Sequence, residues 1–344
     1  MKKILSKIFK IAVDRRNKNF DSGKAKIHKC VSPVISVGNL SIGGSGKTPF
    51  VLTLTKMIKE LGFHPAIVGR GYKRKSKGEV IVCDGNSILT DAKTGGDEML
   101  LLAESLNVPV LAHDMKYIGA LRTESMFDID CIIVDDGYQH RQLFRDLDIL
   151  LMDSDTVSNP YLIPKGRLRE PLESIQRADI IGLIGNIDIN NHQIEKFIEN
   201  KLLLNLKVVH GEQYLISDNK LKDSPILSSN IKNIITVCGI AKPKNFRIML
   251  EAMGYKLVEK IVYDDHHYYK NSDIEYILNK CRKANINCLA TTEKDAVKLK
   301  EFGNIFASNN IYLLVFPIFI KIVEGENELK EILKGKIRKN HDKK

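Results

Sequence analysis

The sequence predicts an α/β protein in which helices cover both faces of a mostly parallel sheet, followed by a second, smaller α/β domain. Short apolar segments alternate with amphipathic segments through the first two-thirds of the 344-residue chain. Strands that are buried on both faces have this continuous apolar character. A second alternating series begins near Asn233 with the segment IITVCGI. At roughly 150 residues per domain, the length also favours two domains.

The elements of the first series follow from their local patterns. A β-branched run predicts the first strand at 33–37, and apolar residues with helical spacing predict a helix at 48–61. Amphipathic helices are also predicted at 97–106 and 116–126. The remaining strands of this series are predicted at 64–68, 79–83, 109–112, 131–134, 149–152 and 180–184.

These elements suggest where the domains begin and end. The second series continues through CLATTEKDAVKL to IYLLVFPIFI, and the stretch between the two series reads as short strands and turns. We therefore expect an N-terminal domain at 1–206, a short β connector at 207–228, a C-terminal α/β domain at 229–333 and a basic tail at 334–344.

The segment VISVGNLSIGGSGKTPF, Val34 to Phe50, predicts a phosphate-binding loop between the first strand and its helix. Backbone N–H groups at a helix start attract anions, and glycines let the chain approach the phosphates closely. The pattern G-x-x-x-x-G-K-[ST] places lysine on the β/γ-phosphates and the hydroxyl on Mg²⁺. One position departs from it, because Ser41 replaces the first glycine. The nucleotide-binding residues are predicted to be Ser41, Ile42, Gly43, Gly44, Ser45, Gly46, Lys47 and Thr48.

This loop predicts a P-loop NTPase-like α/β/α sandwich that binds ATP or GTP. The segment CIIVDDGYQHRQL then places Asp135 and Asp136 directly after a buried strand. An acidic residue there, beside the phosphate loop, is where such enzymes hold Mg²⁺. We therefore predict Thr48, Asp135 and Asp136 as metal ligands, with a solvated strand end as the alternative. Gln139 and His140 follow closely and are predicted to face the substrate.

The net charge of +11 does not indicate a nucleic-acid-binding groove. Residues 1–33 hold ten Lys or Arg against two aspartates, and residues 334–344 hold six against one, so the excess lies at the two ends. In MKKILSKIFKIAVDRR, five apolar residues can share one helical face flanked by basic side chains. Such a helix can lie on an anionic membrane surface, although docking onto the protein is the alternative. The apolar residues are Ile4, Leu5, Ile8, Phe9 and Ala12.

Two further features narrow the class of protein. No apolar run approaches the ~20 residues that a membrane-spanning helix needs. The six cysteines show no C-x-x-C spacing, so we expect reduced thiols rather than a metal site or a disulfide framework.

Seven motifs resemble those of the tetraacyldisaccharide 4′-kinases of lipid A biosynthesis, in the same order and spacing. A weaker match, DRRNKNFDSG, lies upstream, and the resemblance covers roughly Val34–Lys300. The motifs are ISVGNLSIGGSGKTP, GRGYKRKS, TGGDE, VDDGYQHRQL, LIPKGRLREP, DDHHYY and TTEKDAVKL.

The resemblance implies a substrate and a location. That family transfers the γ-phosphate of ATP, with Mg²⁺, to the 4′-hydroxyl of a tetraacylated glucosamine disaccharide 1-phosphate, giving lipid IVA. It works at the cytosolic face of the bacterial inner membrane. We therefore expect the lipid disaccharide and the membrane surface as partners, with no nucleic acid, and a chain that acts as a monomer.

The resemblance also assigns the groups that act on the acceptor hydroxyl. It implies that Asp97 in TGGDE is the general base and that His266 in DDHHYY is its partner. An imidazole can orient a carboxylate and relay its proton. Two alternatives remain open: His267 is adjacent to His266, and Asp97 could serve only as a helix cap.

Two more motifs carry candidate binding residues. In LREP, Arg169 suits a bidentate hold on a phosphate and Glu170 can join the metal ligands, although a salt bridge within the loop explains the pair nearly as well. Arg70 and Tyr72 in GRGYKRKS are predicted to line the acceptor site. In TTEKDAVKL, Thr292 is a candidate helix cap, and Lys294 is a candidate to face the cleft.

The competing class is a partition-type ATPase switch, which also has a Gly-Gly-x-Gly-Lys-Thr loop. Those ATPases carry a signature lysine before the paired glycines, where this chain has Ile42. A switch of this type would also leave TGGDE and DDHHYY without a role.

Overall fold

A computed structural model describes residues 1–44, 46–187, 189, 194–217, 220–222 and 231–341. Within these ranges the strands form one sheet of nine and one of six. In chain order they are β1 Val34–Asn39, β2 Pro65–Gly69, β3 Val80–Asp84, β4 Pro109–Ala112, β5 Cys131–Asp135, β6 Leu147–Asp153, β7 Ile180–Ile184, β8 Leu202–His210, β9 Tyr214–Ser217, β10 Lys220–Lys222, β11 Asn233–Cys238, β12 Lys256–Val262, β13 Cys288–Thr292, β14 Tyr312–Phe316 and β15 Ile318–Glu324.

The helices lie between these strands and at both ends of the chain. They are α1 Lys2–Asp21, α2 Lys47–Glu60, α3 Ala92–Gly95, α4 Asp97–Leu106, α5 Lys116–Met126, α6 Ser154–Ser158, α7 Glu195–Ile198, α8 Pro243–Ala252, α9 Asn271–Ala284, α10 Glu293–Leu299, α11 Gly303–Ser308 and α12 Glu326–His341, with 3₁₀ turns at Leu172–Arg177 and Lys300–Phe302.

The first sheet has the strand order β15-β8-β7-β6-β1-β5-β2-β4-β3. Its inner strands are parallel, and only the two edge strands, β3 and β15, pair antiparallel to their neighbours. This confirms the mostly parallel α/β fold. Because β1 lies between β5 and β6, the loops after these strands meet at one edge of the sheet. Ligands bind at such an edge in open α/β sheets.

Helix α2 fixes the direction of the phosphate loop. Its apolar residues recur at helical spacing and pack on β1 and β5, with Phe50, Leu54 and Ile58 fully buried. Burial of one such side chain stabilises the fold by about 1.5–3 kcal/mol. The start of this helix is therefore held rigidly against the sheet edge.

The second sheet has the strand order β10-β9-β14-β13-β11-β12. Strands β11 to β14 pair in parallel and β9 joins β14 antiparallel. All six cysteines of the chain are buried and free.

The topology differs from the expected domain limits. Strand β8 crosses the predicted boundary at 206 and belongs to the first sheet, whereas β9 within the predicted connector belongs to the second. The chain then returns, because β15 pairs with β8 and α12 packs three buried side chains, Leu329, Leu333 and Ile337, into the core of the first sheet. Residues 318–333 are thus not part of the C-terminal domain, and the predicted basic tail begins inside α12.

Helix α1 docks on the first domain with one face and exposes the other. On the docked face Val13 is buried and Phe9 packs against a buried cluster. Ile4, Ile8 and Ile11 are 58–68% exposed. The prediction that Phe9 belongs to the exposed apolar face is therefore wrong. Among the described residues, no helix has the length and hydropathy to cross a membrane.

Candidate active site

The phosphate loop runs from the end of β1 to the start of α2. Gly46 precedes the helix with φ of +74°, and Gly43 has φ of +104°, so both positions favour glycine. A side chain at Gly43 would also collide with the Arg167 guanidinium. Ser41 forms a β-bridge with Leu168, which is a conformation open to any residue. This explains why the first glycine of the pattern is dispensable here. Ser45 lies outside the described residues.

Lys47 opens α2 and points back across the loop. Its Nζ lies 3.2 Å from Asn39 Oδ1 and 3.4 Å from Asp136 Oδ1. The amine is thus held beside the phosphate loop, at the sheet edge where β1 and β5 end. Thr48 follows it in the first turn of the helix.

Asp136 is surrounded by positive charge. Arg169 donates from both terminal nitrogens to the two carboxylate oxygens at 2.9 Å, and buried Lys116 donates to the Asp136 carbonyl at 2.6 Å. Although burial opposes ionisation, Lys47, Lys116 and Arg169 hold the pKa of Asp136 well below its usual range. Asp136 also adopts a φ of +53°. A carboxylate committed to these cations is a poorer candidate for a metal ligand than its neighbour.

Asp135 is the better candidate for a metal ligand. It is 4% exposed, and its Oδ1 atom is buried with no hydrogen-bond partner in the described structure. Burial raises its pKa to about 7, Glu98 and Asp136 add to the rise, and Lys116 and Lys47 oppose it. A divalent cation would supply the missing partner and favour the ionised form.

The Asp135 carboxylate and the Thr48 hydroxyl are oxygen ligands, which suit magnesium. In the part of the chain that the structure describes, no three His, Cys, Asp or Glu side chains form a metal-binding cluster. Mg²⁺ commonly takes one or two carboxylates together with nucleotide phosphates and water. Thr48 and Asp135 are the residues that would hold it here.

Gln139 and His140 lie next to this centre. The Gln139 Nε2 atom donates to the Asn39 carbonyl at 2.9 Å, which ties this loop to the end of β1. Burial lowers the pKa of His140 to about 3, with Lys116 adding to the effect. The imidazole is therefore neutral at pH 7 and can donate or accept a hydrogen bond.

Glu170 does not join the metal candidates. Its carboxylate is fully buried and pairs with Arg16 and Arg177 at 2.8 Å each, while Asn17 donates to it at 3.1 Å. The predicted metal role of Glu170 is therefore wrong, because its oxygens are already neutralised by partners distant in the sequence. The neighbouring Arg169 points the other way, towards the phosphate loop. The phosphate loop, Lys47, Asp135, Asp136 and Arg169 together form the phosphate centre.

The structure brings Asp97 and His266 together, as the sequence leads us to expect. Asp97 begins α4, and His266 precedes α9 with a φ of +61°. The His266 Nδ1 atom lies 2.9 Å and 3.1 Å from the two Asp97 oxygens. His267 instead contacts Asp273 at 3.0 Å. The choice between the two histidines is thereby settled in favour of His266.

Two lysines of α10 complete this pair. Lys298 Nζ lies 3.1 Å from Asp97 Oδ2, and Lys294 Nζ lies 2.9 Å from His266 Nε2. Burial alone would raise the pKa of Asp97, but the His266 hydrogen bond and the two lysines hold it at about 2. Asp97 is therefore ionised throughout the physiological range. If the Lys294 ammonium donates to Nε2, the imidazole proton is on Nδ1 and points at Asp97.

Lys116 and Lys298 were not predicted as site residues. Both are nearly fully buried. A buried lysine needs an anionic partner, but a sequence does not reveal burial of a single lysine on a helix. The only signal was the i, i+4 spacing of Lys294 and Lys298 in TTEKDAVKL. Thr292 caps that helix, because its hydroxyl accepts from the Asp295 N–H.

Glu98 links the two centres electrostatically. Glu98, next to Asp97, lies 3.2 Å from Lys294 and raises the pKa of Asp135 through its charge. Tyr72 packs its ring 4.8 Å from that of His266 and is half exposed, and Arg70 is exposed just after β2. These positions leave Tyr72 available to a ligand at the edge of the Asp97–His266 pair.

A loop of the second domain also reaches the phosphate loop. Lys242 Nζ lies 3.1 Å from Asp153 and 3.0 Å from Asp155, both in the first domain. The neighbouring Ala241 lies close to Gly44. Residues of both domains therefore border the space above the loop.

Comparison with known proteins identifies one family. The family model described as tetraacyldisaccharide-1-P 4′-kinase, LpxK, matches residues 2–338. A tetraacyldisaccharide 4′-kinase of Syntrophus aciditrophicus is 36% identical over 310 residues, covering 86% of this chain and 83% of the relative. One from Halothermothrix orenii is 33% identical over 350 residues, covering 96% and 90%.

A solved structure shares the fold as well. The crystal structure of LpxK from Aquifex aeolicus in complex with ATP superimposes with a TM-score of 0.77 at 31% sequence identity, covering 97% of each chain.

Proposed function

The chain belongs to the tetraacyldisaccharide-1-P 4′-kinase family, and we propose that it transfers the γ-phosphate of ATP to the 4′-hydroxyl of a tetraacylated glucosamine disaccharide 1-phosphate. The product is lipid IVA, an intermediate of lipid A biosynthesis. The observation that carries this proposal is the meeting of a phosphate loop and a buried Asp97–His266 pair where the two domains face each other.

The nucleotide is held by the residues of the phosphate loop. Backbone N–H groups of Gly43, Gly44 and Gly46 and the start of α2 cradle the phosphates. The Lys47 ammonium lies 3.4 Å from Asp136 Oδ1. This contact is long enough to be given up when Lys47 binds the β/γ-phosphates. Thr48 and Asp135 would hold Mg²⁺, which would supply positive charge to neutralise the phosphates. Arg169 keeps Asp136 in place and offers its guanidinium to the same phosphates.

The acceptor hydroxyl approaches from the side of Asp97. Asp97 accepts a hydrogen bond from the 4′-hydroxyl and takes its proton as the phosphoryl group is transferred. His266 holds the carboxylate through Nδ1 and shares the charge change. Because phosphoryl transfer has a loose transition state, alignment of the hydroxyl contributes more than the basicity of Asp97. The lipid acceptor is bordered by Tyr72, Arg70, Gln139 and His140.

Contacts between the domains exclude water from this chemistry. His266, Lys294 and Lys298 come from the second domain, and Asp97 comes from the first. Bringing the domains together therefore completes the site. Such closure limits transfer of the phosphoryl group to water.

The exposed face of α1 is proposed to meet the membrane. Ile4, Ile8 and Ile11 present apolar surface to solvent. Lys3, Lys7 and Lys10 flank that face and suit anionic headgroups. Since the acceptor carries acyl chains, a peripheral position on the cytoplasmic face of the inner membrane gives the enzyme access to it.

Purified protein incubated with γ-labelled ATP and the lipid disaccharide tests the reaction. We expect label in a lipid product whose 4′ position carries phosphate, and no product with an acceptor whose 4′-hydroxyl is blocked. ATP hydrolysis that is indifferent to the lipid would contradict the kinase and favour an ATPase switch.

Vesicle binding tests the membrane contact. The double variant Ile8→Ser/Ile11→Ser should bind anionic vesicles about tenfold more weakly or worse, because each buried CH₂ contributes about 0.8 kcal/mol. Ile248→Ser serves as the control, since Ile248 is 52% exposed in the second domain. Unchanged vesicle binding by the double variant would show that the attachment lies elsewhere.

A further inference from the structure

We propose that helix α1 positions an active-site residue. Arg16 and Asn17 of this helix hold Glu170 in place, and Glu170 in turn fixes the neighbouring Arg169. The inference rests on the proposed kinase reaction for one of its readouts, but not on membrane attachment. It gives a second task to a helix whose exposed face suggests only a lipid contact.

The first step is the environment of Glu170. This carboxylate is 0% exposed. It has three described partners, and two of them come from α1: Arg16 Nη2 lies 2.8 Å from Oε1, and Asn17 Nδ2 lies 3.1 Å from Oε2. The third is Arg177, at 2.8 Å from Oε2. Since a buried carboxylate requires such partners, the position of Glu170 depends on the docking of α1.

The second step is the position of Arg169. Its N–H donates to the Leu40 carbonyl at 2.7 Å, inside the phosphate loop. Its guanidinium holds both oxygens of Asp136 and donates to the Ser41 carbonyl at 3.2 Å. One peptide bond separates Arg169 from Glu170. A shift of the buried Glu170 side chain therefore moves the backbone that aims Arg169.

A second set of contacts connects α1 to the loop after β5, which carries His140. Arg141 directly follows His140, and its guanidinium lies 3.2 Å from the Asn17 carbonyl and 2.6 Å from Asp21 Oδ1. It also lies over the ring of Phe20 at 5.1 Å. The helix thus holds the two segments that carry Arg169 and His140, which approach the phosphate centre from different strands.

The two tasks of α1 use different side chains. Arg16 and Asn17 contact Glu170, although Arg16 is partly exposed, whereas Ile8 and Ile11 present their side chains to solvent. Asn17 lies across the helix from the two isoleucines, so its substitution should affect turnover without removing the exposed apolar surface. This separation makes the inference testable independently of the membrane.

The test uses the full chain in detergent micelles, where vesicle attachment plays no part. Arg16→Ala should lower kcat/KM for the lipid acceptor by about 2- to 30-fold, the range expected for a residue acting through another. It should also weaken binding of a fluorescent ATP analogue. Arg16→Lys, which keeps the charge, should recover part of both losses. Lys18→Ala is the control, because Lys18 is exposed on the same helix. Arg16→Ala with control-like turnover and nucleotide affinity would overturn the proposal.

A double-mutant cycle separates positioning from a loss of stability. If Arg16 acts through Arg169, its substitution should cost little more once Arg169 is already alanine. Fully multiplicative losses would overturn the proposal. Asn17→Ala removes its hydrogen bond to Glu170 and the longer one that it accepts from Arg16, but it leaves the Arg16–Glu170 ion pair. It therefore provides a milder variant that should shift both readouts in the same direction if Arg16→Ala folds poorly. A wild-type protein without lipid kinase activity would refute the proposed function, while nucleotide affinity would still decide this inference.

Discussion

The ion pairs around Asp136 at the phosphate centre join residues of the first domain, whereas at the Asp97–His266 pair each domain supplies one partner. Lys47, Asp136 and Arg169 all follow strands β1, β5 and β6 of one sheet, so their positions are set by strand order. Asp97 and His266 are 169 residues apart and meet only because the second domain packs on the first. The first centre can therefore form with one domain folded, and the second cannot.

The balance of charge also differs between them. At the phosphate centre, cations outnumber the ionised carboxylates around Asp136, and Asp135 has a pKa of about 7. This arrangement suits an added anion and an added metal. At Asp97 the lysines and His266 already compensate the carboxylate, and its pKa is about 2. That arrangement suits a group whose task is to stay ionised and hold its direction.

The largest effect is expected at the phosphate centre. Lys47→Ala should lower kcat by about 100-fold or more, since removal of one preorganised charge costs roughly 3 kcal/mol in the transition state. The unfolding temperature of this variant should stay near that of the wild type, because Lys47 lies in the first turn of α2, beside the phosphate loop, and not in the core. Lys256→Ala, at an exposed edge strand, is the control. Wild-type turnover in Lys47→Ala would show that the loop does not hold the transferred phosphate.

A smaller effect is expected from the lysine behind Asp97. Lys298→Met removes the cation 3.1 Å from Oδ2, so burial should raise the pKa of Asp97. The acid limb of the pH profile of kcat/KM should then move to higher pH, with kcat about tenfold lower, which corresponds to ~1.4 kcal/mol. The measurement is the pH dependence of turnover.

Lys300→Met is the matched control for that experiment. Lys300 begins the 3₁₀ turn that follows α10 and pairs with Glu104 of α4 rather than with Asp97. Both variants should lose stability, because each removes a lysine that is paired with a carboxylate. Only Lys298→Met should move the pH profile. An equal shift in both variants would mean that domain packing, rather than the charge beside Asp97, sets the profile.

A further prediction concerns stability in acid rather than turnover. His140 is neutral in the folded protein because burial lowers its pKa to about 3, whereas an unfolded histidine titrates near 6.5. Below about pH 6.5 the unfolded state therefore binds more protons, and stability falls as the pH drops towards 3. His140→Gln should flatten this part of the curve, measured as denaturant midpoints between pH 7 and 4. An unchanged slope would place the acid sensitivity in other groups.

The sequence could predict what depends on local pattern. Periodicity located α4 and α5 at the residues where the structure has them, because each helix buries one apolar face. The strands that carry the phosphate loop and Asp135 are predictable because they are buried on both faces and read as continuous apolar runs. Pattern could not show that β15 and α12 return to the first sheet, since an apolar strand fits either sheet equally well.

The errors in the site have a common cause. Glu170 has the charge of a metal ligand, but Arg16 and Arg177 neutralise it from positions that no local motif connects. The sequence does not single out Lys116 or Lys298, because a lysine becomes informative only once it is known to be buried beside an aspartate. Long-range ion pairs are set by tertiary packing, and that is where prediction from sequence stops.

A double-mutant cycle on kcat with the lipid acceptor tests most directly the claim that the two domains build one catalytic pair. We expect a similar kcat for Asp97→Asn, His266→Gln and the double variant, about 10²- to 10⁴-fold below that of the wild type. Either substitution alone removes the joint contribution of the pair. His267→Gln, whose imidazole contacts Asp273 instead, should keep near wild-type turnover. If the losses at Asp97 and His266 multiply fully, the two residues act independently, and the account of a pair assembled across the domains is contradicted.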